Sequence, residues 1–297
     1  MRKIIVVTGA SNGIGRQTCE ELAVAGHAVY ATMEDMKGRN ALQASQMDTL
    51  ARQNNLHLFT IELDASSQDS VNSVFNAVIS ENGRLDVVIH NTGQIVYGPA
   101  EAFTPDQLGE LYDANVLSAQ RVNRVALPQL RKQGEGLLVW ISSSGARGGT
   151  PPFLGLYAST KAGMDSLAMT YAGELARWGI ETTIVVPRSL GPDHYIRSGR
   201  PRDSMRAEEY ADGPTAGLSD ATLSGMASLA PRDTDPRDVA SAIVKIVDTP
   251  FGKRPLRIHF DPDDDGAAVV DGVADRARAD LFRQIGLADI LKPAIIK

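Results

Sequence analysis

Seven short, β-branched apolar runs recur along this chain with helical stretches between them, and that alternation is the signature of a parallel sheet covered on both faces. The runs fall at residues 3–7, 28–33, 57–61, 87–90, 137–141, 182–186 and 256–260. Helical periodicity occupies 13–25, 40–53, 67–81, 107–131, 157–178 and 236–248. Right-handed crossovers then predict an α/β, Rossmann-like, doubly wound and mainly parallel seven-stranded sheet with helices on both faces. Length alone allows one large domain or two small ones. The continuous alternation assigns residues 1–297 to a single domain.

Two stretches break the pattern. Residues 188–235 are rich in Gly, Pro, Arg and Asp and follow the sixth strand, whose carboxyl end faces the ligand crevice in such sheets, so they are read as a lid. Residues 261–297 form an extension, with an acidic turn and then a helix at 271–285 that covers the sheet edge or a neighbouring subunit. A formal charge of -6 and a pI near 5.4 argue against nucleic acid or an acidic membrane as partner. The one cysteine, Cys19, lies on the first helix and reads as a small buried hydrophobe. The apolar run after Met1-Arg2-Lys3 is cut at Thr8-Gly9, too short for a signal peptide, and no stretch approaches a spanning helix. A cytoplasmic protein is expected.

The first strand leads into Thr8-Gly9-Ala10-Ser11-Asn12-Gly13-Ile14-Gly15. Glycines there let an anion approach the backbone amides and the positive end of the first helix dipole, as a nucleotide pyrophosphate requires. Further on, Tyr157 and Lys161 lie four apart on a predicted helix and so share a face. A phenol titrates near ~10, and proton exchange near neutrality asks for a shift of roughly 3 units, about 4 kcal/mol. A fixed ammonium beside it supplies much of that.

Together, Thr-Gly-x-x-x-Gly-Ile-Gly and Tyr-x-x-x-Lys resemble the short-chain dehydrogenase/reductase family, from Arg2 to about Pro187. Three residues between the first two glycines resemble its short single-domain branch and not the nucleotide-sugar epimerases. The resemblance implies an NAD(P)-dependent oxidoreductase interconverting an alcohol and a carbonyl, with Tyr157 as general acid/base and Lys161 holding the coenzyme ribose. It implies Asn115 in a proton relay and a carbonyl-polarising serine among Ser142, Ser143 and Ser144. Counting along the fifth strand favours Ser143, the distance back from Tyr157 favours Ser144, and Ser143 is preferred.

The same resemblance assigns coenzyme binding to Gly9, Ser11, Asn12, Gly13, Ile14, Gly15, Met33, Glu34, Asp64, Asn91, Gly93, Pro187 and Ser189, besides Tyr157 and Lys161. The chain departs from the family in two places. His90-Asn91-Thr92-Gly93 stands for Asn-Asn-Ala-Gly, where His90 also reads as a hydrogen-bonded strand-end residue. Pro187-Arg188 stands for Pro-Gly beside the nicotinamide. Glu34 occupies a position where arginine would accept a 2′-phosphate, which tilts the choice between NAD and NADP towards NAD, although Lys37 and Arg39 lie near.

Family likeness suggests a homodimer or homotetramer packed through the two long helices. An apolar or mixed substrate is expected against residues 151–154, Val96, Tyr97 and Met205. The basic residues Arg188, His194, Arg197, Arg200, Arg202 and Arg206 read as a solvated loop paired with Asp193, Asp203 and Glu208, in preference to an anion clamp. The acidic run 261–265 carries no His or Cys ligand spacing, so no metal is expected. Competing readings are a nucleotide-binding regulatory protein without turnover and, disfavoured by the glycine spacing, a nucleotide-sugar epimerase.

Overall fold

The computed structural model describes residues 1–187, 198–229, 235–260 and 266–295. Its strands are β1 (Ile4–Val7), β2 (Ala28–Met33), β3 (Leu58–Glu62), β4 (Val87–His90), β5 (Gly136–Ile141), β6 (Ile180–Pro187) and β7 (Arg257–Phe260), all parallel, in the order 3-2-1-4-5-6-7. The order reverses between β1 and β4. Their carboxyl ends therefore part at a crevice, where ligands bind in sheets of this kind.

Period-two alternation divides the apolar side chains into two cores. Ile4 and Val6 face one core with α3 (Gln68–Asn82), α5 (Ser118–Gln133) and α6 (Gly155–Ala176). Ile5 and Val7 face the other with α1 (Gly13–Val24), α2 (Ala41–Gln53) and α9 (Pro236–Asp248). Cys19 is wholly buried in the second core, where burial pushes its thiol well above the usual range and makes it unreactive.

The predicted 107–131 helix requires correction. A capping box between Thr104 and Gln107 starts α4 (Pro105–Tyr112), a π turn follows over Asp113–Leu117, and only then does α5 begin. Periodicity runs through the π turn almost unchanged, because one inserted residue rotates the apolar face without erasing it. The 188–235 stretch likewise contains more order than its composition suggests: α7 (Ser204–Asp212) and α8 (Leu218–Leu229). Asp203 caps Arg206 N and starts α7, a signal present in the sequence.

The C-terminal helix α10 (Ala267–Gln284) lies within the chain's own body. Its Asp271 meets His259 of β7, and Phe282 and Arg278 pack beside Gly173 of α6. Beyond it, Ala294 N donates to Ala176 O. The acidic residues 261–265 lie outside the described residues. Among the described residues no helix is long and apolar enough to cross a membrane.

Candidate active site

The turn from β1 to α1 is shaped by what a side chain would strike. A Cβ on Gly15 would sit 2.2 Å from Asn91 Nδ2 and 2.5 Å from Gly9 O, and one on Gly9 would meet Thr92 Cα at 2.9 Å. Gly9 and Gly13 also have φ of 67° and 53°. Thr8 and Asn91 lace this turn to the end of β4. Thr8 Oγ1 accepts from Asn91 N and Thr92 N at 3.1 Å, while Asn91 Nδ2 donates to Thr8 O at 3.0 Å and Gly9 O at 2.8 Å.

Helix α1 receives no side-chain cap from Asn12 and has no acid in its first turn. Its first turn follows the carboxyl end of β1, where Asn12 and Gly13 are exposed and Ser11 and Ile14 half-buried. These features fit a dinucleotide pyrophosphate.

At the end of β2, Met33 is buried and Glu34 is exposed and paired with Arg39. Asp35, at φ 49°, turns its carboxylate back onto Arg39 N and so shapes its own turn. Asp64, beyond β3, accepts from both Ser66 N and Ser66 Oγ, which hold its carboxyl below the usual carboxylate range. His90 is buried against Trp140, with ring centroids 4.3 Å apart, and its Nε2 lies 2.9 Å from Asn123 Oδ1. Burial lowers its pKa to about 4, so it is neutral and part of the packing.

A second group of side chains assembles where α6 passes the ends of β4 and β5. Tyr157 and Lys161 share one face of the helix, as their spacing predicts. Lys161 is buried, donates to Ile141 O at 2.8 Å, and is lowered by that burial to about 8. Asn115 lies in the π turn and is completely buried. Its Oδ1 accepts from Gln94 N at 2.6 Å, and its Nδ2 donates to Gln94 O and, at 2.8 Å, to Thr160 Oγ1 between Tyr157 and Lys161. A Cβ on Gly93 would lie 3.2 Å from Asn115 Oδ1 and 3.5 Å from Lys161 Nζ, so the glycine permits these groups to converge.

The three serines differ. Ser142 is buried and donates to Asp165 Oδ1 at 3.2 Å. Ser143 accepts from Gly145 N at 3.2 Å, and its turn packs towards Ala158 beside Tyr157. Among the described residues the Ser144 hydroxyl makes no hydrogen bond, while its carbonyl accepts from Gly148 N. Gln94, Thr160 and Asp165 join the assembly without having been singled out in the sequence, and Thr8, quoted only as the start of the glycine motif, joins it as well. The signal of the first three is only partnership in space.

Above Tyr157 lies an apolar group of Tyr97 and Leu154, with Ile95, Phe153, Leu223 and Met226 packed against it. Phe153 has φ 69°, a strain on the order of 1–3 kcal/mol for such a residue. Tyr97 OH donates to Ser219 O at 3.1 Å, tying α8 over this side of the crevice. Met205 is exposed and does not belong to the group. Arg202 pairs with Glu110, Arg206 with Asp203 and Glu101, and Arg200 stacks on Tyr97. Pro187 ends β6 opposite Phe260, whereas Arg188, Ser189, Asp193, His194 and Arg197 lie outside the described residues.

The model of the short chain dehydrogenase family matches residues 3–197. The chain belongs to the short-chain dehydrogenase/reductase family and is an NAD(P)-dependent oxidoreductase acting on CH–OH groups. Among its relatives, a 3-ketodihydrosphingosine reductase of Bacteroides thetaiotaomicron is 27% identical over 71% of this chain and 72% of its own. Retinol dehydrogenase 8 of Bos taurus is 27% identical over 86% and 80%.

A short-chain dehydrogenase structure from Streptomyces avermitilis superposes with a TM-score of 0.73 at 27% identity, covering 96% of this chain and 98% of its own. Two others share the fold at lower identity. One, from Burkholderia phymatum in complex with NAD, has a TM-score of 0.70 at 20% identity and covers 95% of each chain. The other, an alcohol dehydrogenase from Thermococcus sibiricus complexed with 5-hydroxy-NADP, has 0.67 at 22%, covering 88% of this chain and 96% of its own.

Proposed function

We propose that this enzyme interconverts an apolar alcohol and its carbonyl compound, with Tyr157 as general acid and base. The observation that carries the reading is the convergence of Lys161, Asn115 and Gly93 on the face of α6 that bears Tyr157, at the crevice where the β1 turn fits a dinucleotide. A bound nicotinamide supplies or accepts the hydride. In reduction the Tyr157 phenol gives its proton to the substrate oxygen, and in oxidation it takes that proton back.

Lys161 contributes hydrogen bonds and, when protonated, a charge that favours the phenolate. Both Nδ2 hydrogens of Asn115 are given to Gln94 O and Thr160 Oγ1 and its Oδ1 accepts from Gln94 N, so the side chain has no proton left to donate and its part in a proton relay falls to its backbone. Ser142 is committed to Asp165, which leaves two serines to polarise the carbonyl. Ser143 accepts from Gly145 N and keeps its hydrogen for a substrate oxygen; Ser144 has its whole hydroxyl available. Separate alanine variants choose between them by kcat.

An apolar substrate is supported by the side chains around Tyr157, and by the likeness to proteins named for a ketodihydrosphingosine and for retinol. Residues 198–229 serve as its lid. Glu34 favours NAD because a 2′-phosphate would meet its carboxylate, and the pairing with Arg39 moderates that preference.

The test is fluorescence titration with NADH and NADPH, followed by turnover of a panel of long-chain and cyclic ketones. Coenzyme binding with no turnover would replace this reading by the regulatory one, and conversion of UDP-sugars would replace it by the epimerase. In Glu34→Arg the ratio of NAD to NADP turnover should fall; an unchanged ratio removes the basis for preferring NAD.

A further inference from the structure

One helical turn beyond Lys161 the chain buries a carboxylate completely. Asp165 receives Ser142 Oγ at 3.2 Å, Arg147 Nη2 at 3.1 Å, and the guanidinium fork of Arg257 at 2.6 and 3.1 Å. On the far side of the two arginines stands Asp271 of α10, also buried. Its Oδ1 lies 3.5 Å from Arg257 Nε and 3.9 Å from Arg147 Nε, while Oδ2 lies 2.9 Å from His259 Nε2. Asp275, one turn further along α10, lies 3.7 Å from Arg257 Nε.

Such an assembly is a poor device for stability, because the desolvation of buried ions can exceed their attraction. Among the described residues, three of its atoms, Arg257 Nε, Asp271 Oδ1 and Asp275 Oδ1, are buried without a hydrogen bond. What planar forks do well is fix direction. Through Asp165 the cluster meets the turn after β5, which carries the two available serines and has no strand ladder of its own. Ser142 enters the cluster at the start of that turn and Arg147 at its end.

We infer that Asp165 and Asp271 are positioning residues for the serine turn, acting through Arg147 and Arg257, so that the C-terminal helix forms part of the catalytic apparatus. The inference rests on the reading of that turn as catalytic. Asp165 does not act by tuning Lys161, whose lowered proton affinity comes from burial. Its charge is met by the arginines.

The experiment uses the full chain with Asp271→Asn, Arg147→Met and the double variant. Arg147 is partly exposed, so its replacement is the variant least able to unfold the protein. Amide hydrogen exchange across residues 143–149 should rise about fivefold or more in either single variant, while residues 4–33 keep their protection. With the best carbonyl substrate kcat should fall roughly tenfold, with coenzyme KM within about twofold of the parent. Because Asp271 reaches the turn in part through Arg147, the double variant should fall clearly short of the product of the two single effects in either readout.

Unchanged exchange in 143–149, or an equal loss of protection throughout the sheet, overturns the inference. So does a kcat effect that simply multiplies in the double variant. If the parent turns over no carbonyl, the proposed function fails while the exchange arm still decides whether α10 holds the turn.

Discussion

The coenzyme side of the crevice and the side of the proposed lid are held together by different physics. On the first, Thr8 and Asn91 stitch the glycine turn to β4 through main-chain partners, and the strands beneath are almost wholly buried. On the second, α7 and α8 rest on a tyrosine hydroxyl, a few apolar side chains and ion pairs such as Arg202 with Glu110, whose side chains are 58% and 59% exposed. Exposed pairs of that kind contribute only about 0–1 kcal/mol each. A region fixed by backbone geometry tolerates little change, whereas one fixed by exchangeable side-chain contacts can open and close at small cost.

The contrast can be broken at four places. The largest effect belongs to the proposed proton carrier between the two sides: Tyr157→Phe should lower kcat on the order of 10³-fold while NADH binding, followed by fluorescence, persists. On the rigid side, Gly15→Ala forces a methyl against Asn91 and Gly9 O; it should cost roughly 1–3 kcal/mol in urea unfolding and weaken coenzyme binding about tenfold or more.

Lys161 gives a pH signature. Its folded pKa of about 8 lies below the ordinary lysine range, so below that pH both folded and unfolded chains are charged and the folded one bears the full burial penalty. Between about 8 and the ordinary value the folded protein is the first to release the proton, and the penalty fades. The stability of the parent relative to Lys161→Met, measured without coenzyme, should therefore improve by up to roughly 3 kcal/mol from pH 7 to pH 10.5. A flat difference would mean that Lys161 is well solvated.

The smallest effect tests the loose side. Tyr97→Phe removes the hydroxyl that ties α8 to the body, and should raise substrate KM a few-fold, with unfolding free energy changed by about 1 kcal/mol and coenzyme affinity untouched. A change in coenzyme affinity as large as that in substrate KM would erase the distinction between the two sides.

The same division separates what could be read along the chain from what could not. All seven strands lie where their apolar runs predict; the five inner ones are buried on both faces and so are mostly apolar, while edge strands β3 and β7 are only partly buried and admit polar residues. The glycine turn was legible because a steric demand leaves a residue-type signature. Helix α7 went unread because few apolar residues mark it, and α8 because Ser, Thr, Asp and Gly are interleaved with its apolar residues; only Asp203 announces the first. The π turn was hidden by a periodicity that one extra residue barely disturbs. Asp165 carries no mark of its role along the chain, since its partner Arg257 is 92 positions away.

The amino-acid order alone settled the layered sheet, the shape of the dinucleotide turn and the pairing of a tyrosine with a lysine one turn on, for each leaves a mark in residue type or spacing along the chain. Tertiary structure decided the rest: which serine is drawn into a buried carboxylate, where the asparagine amide is spent, and how the last helix reaches the turn after the fifth strand. Those outcomes depend on charges and dipoles that meet only after the sheet has closed around them, and local spacing carries no record of such meetings.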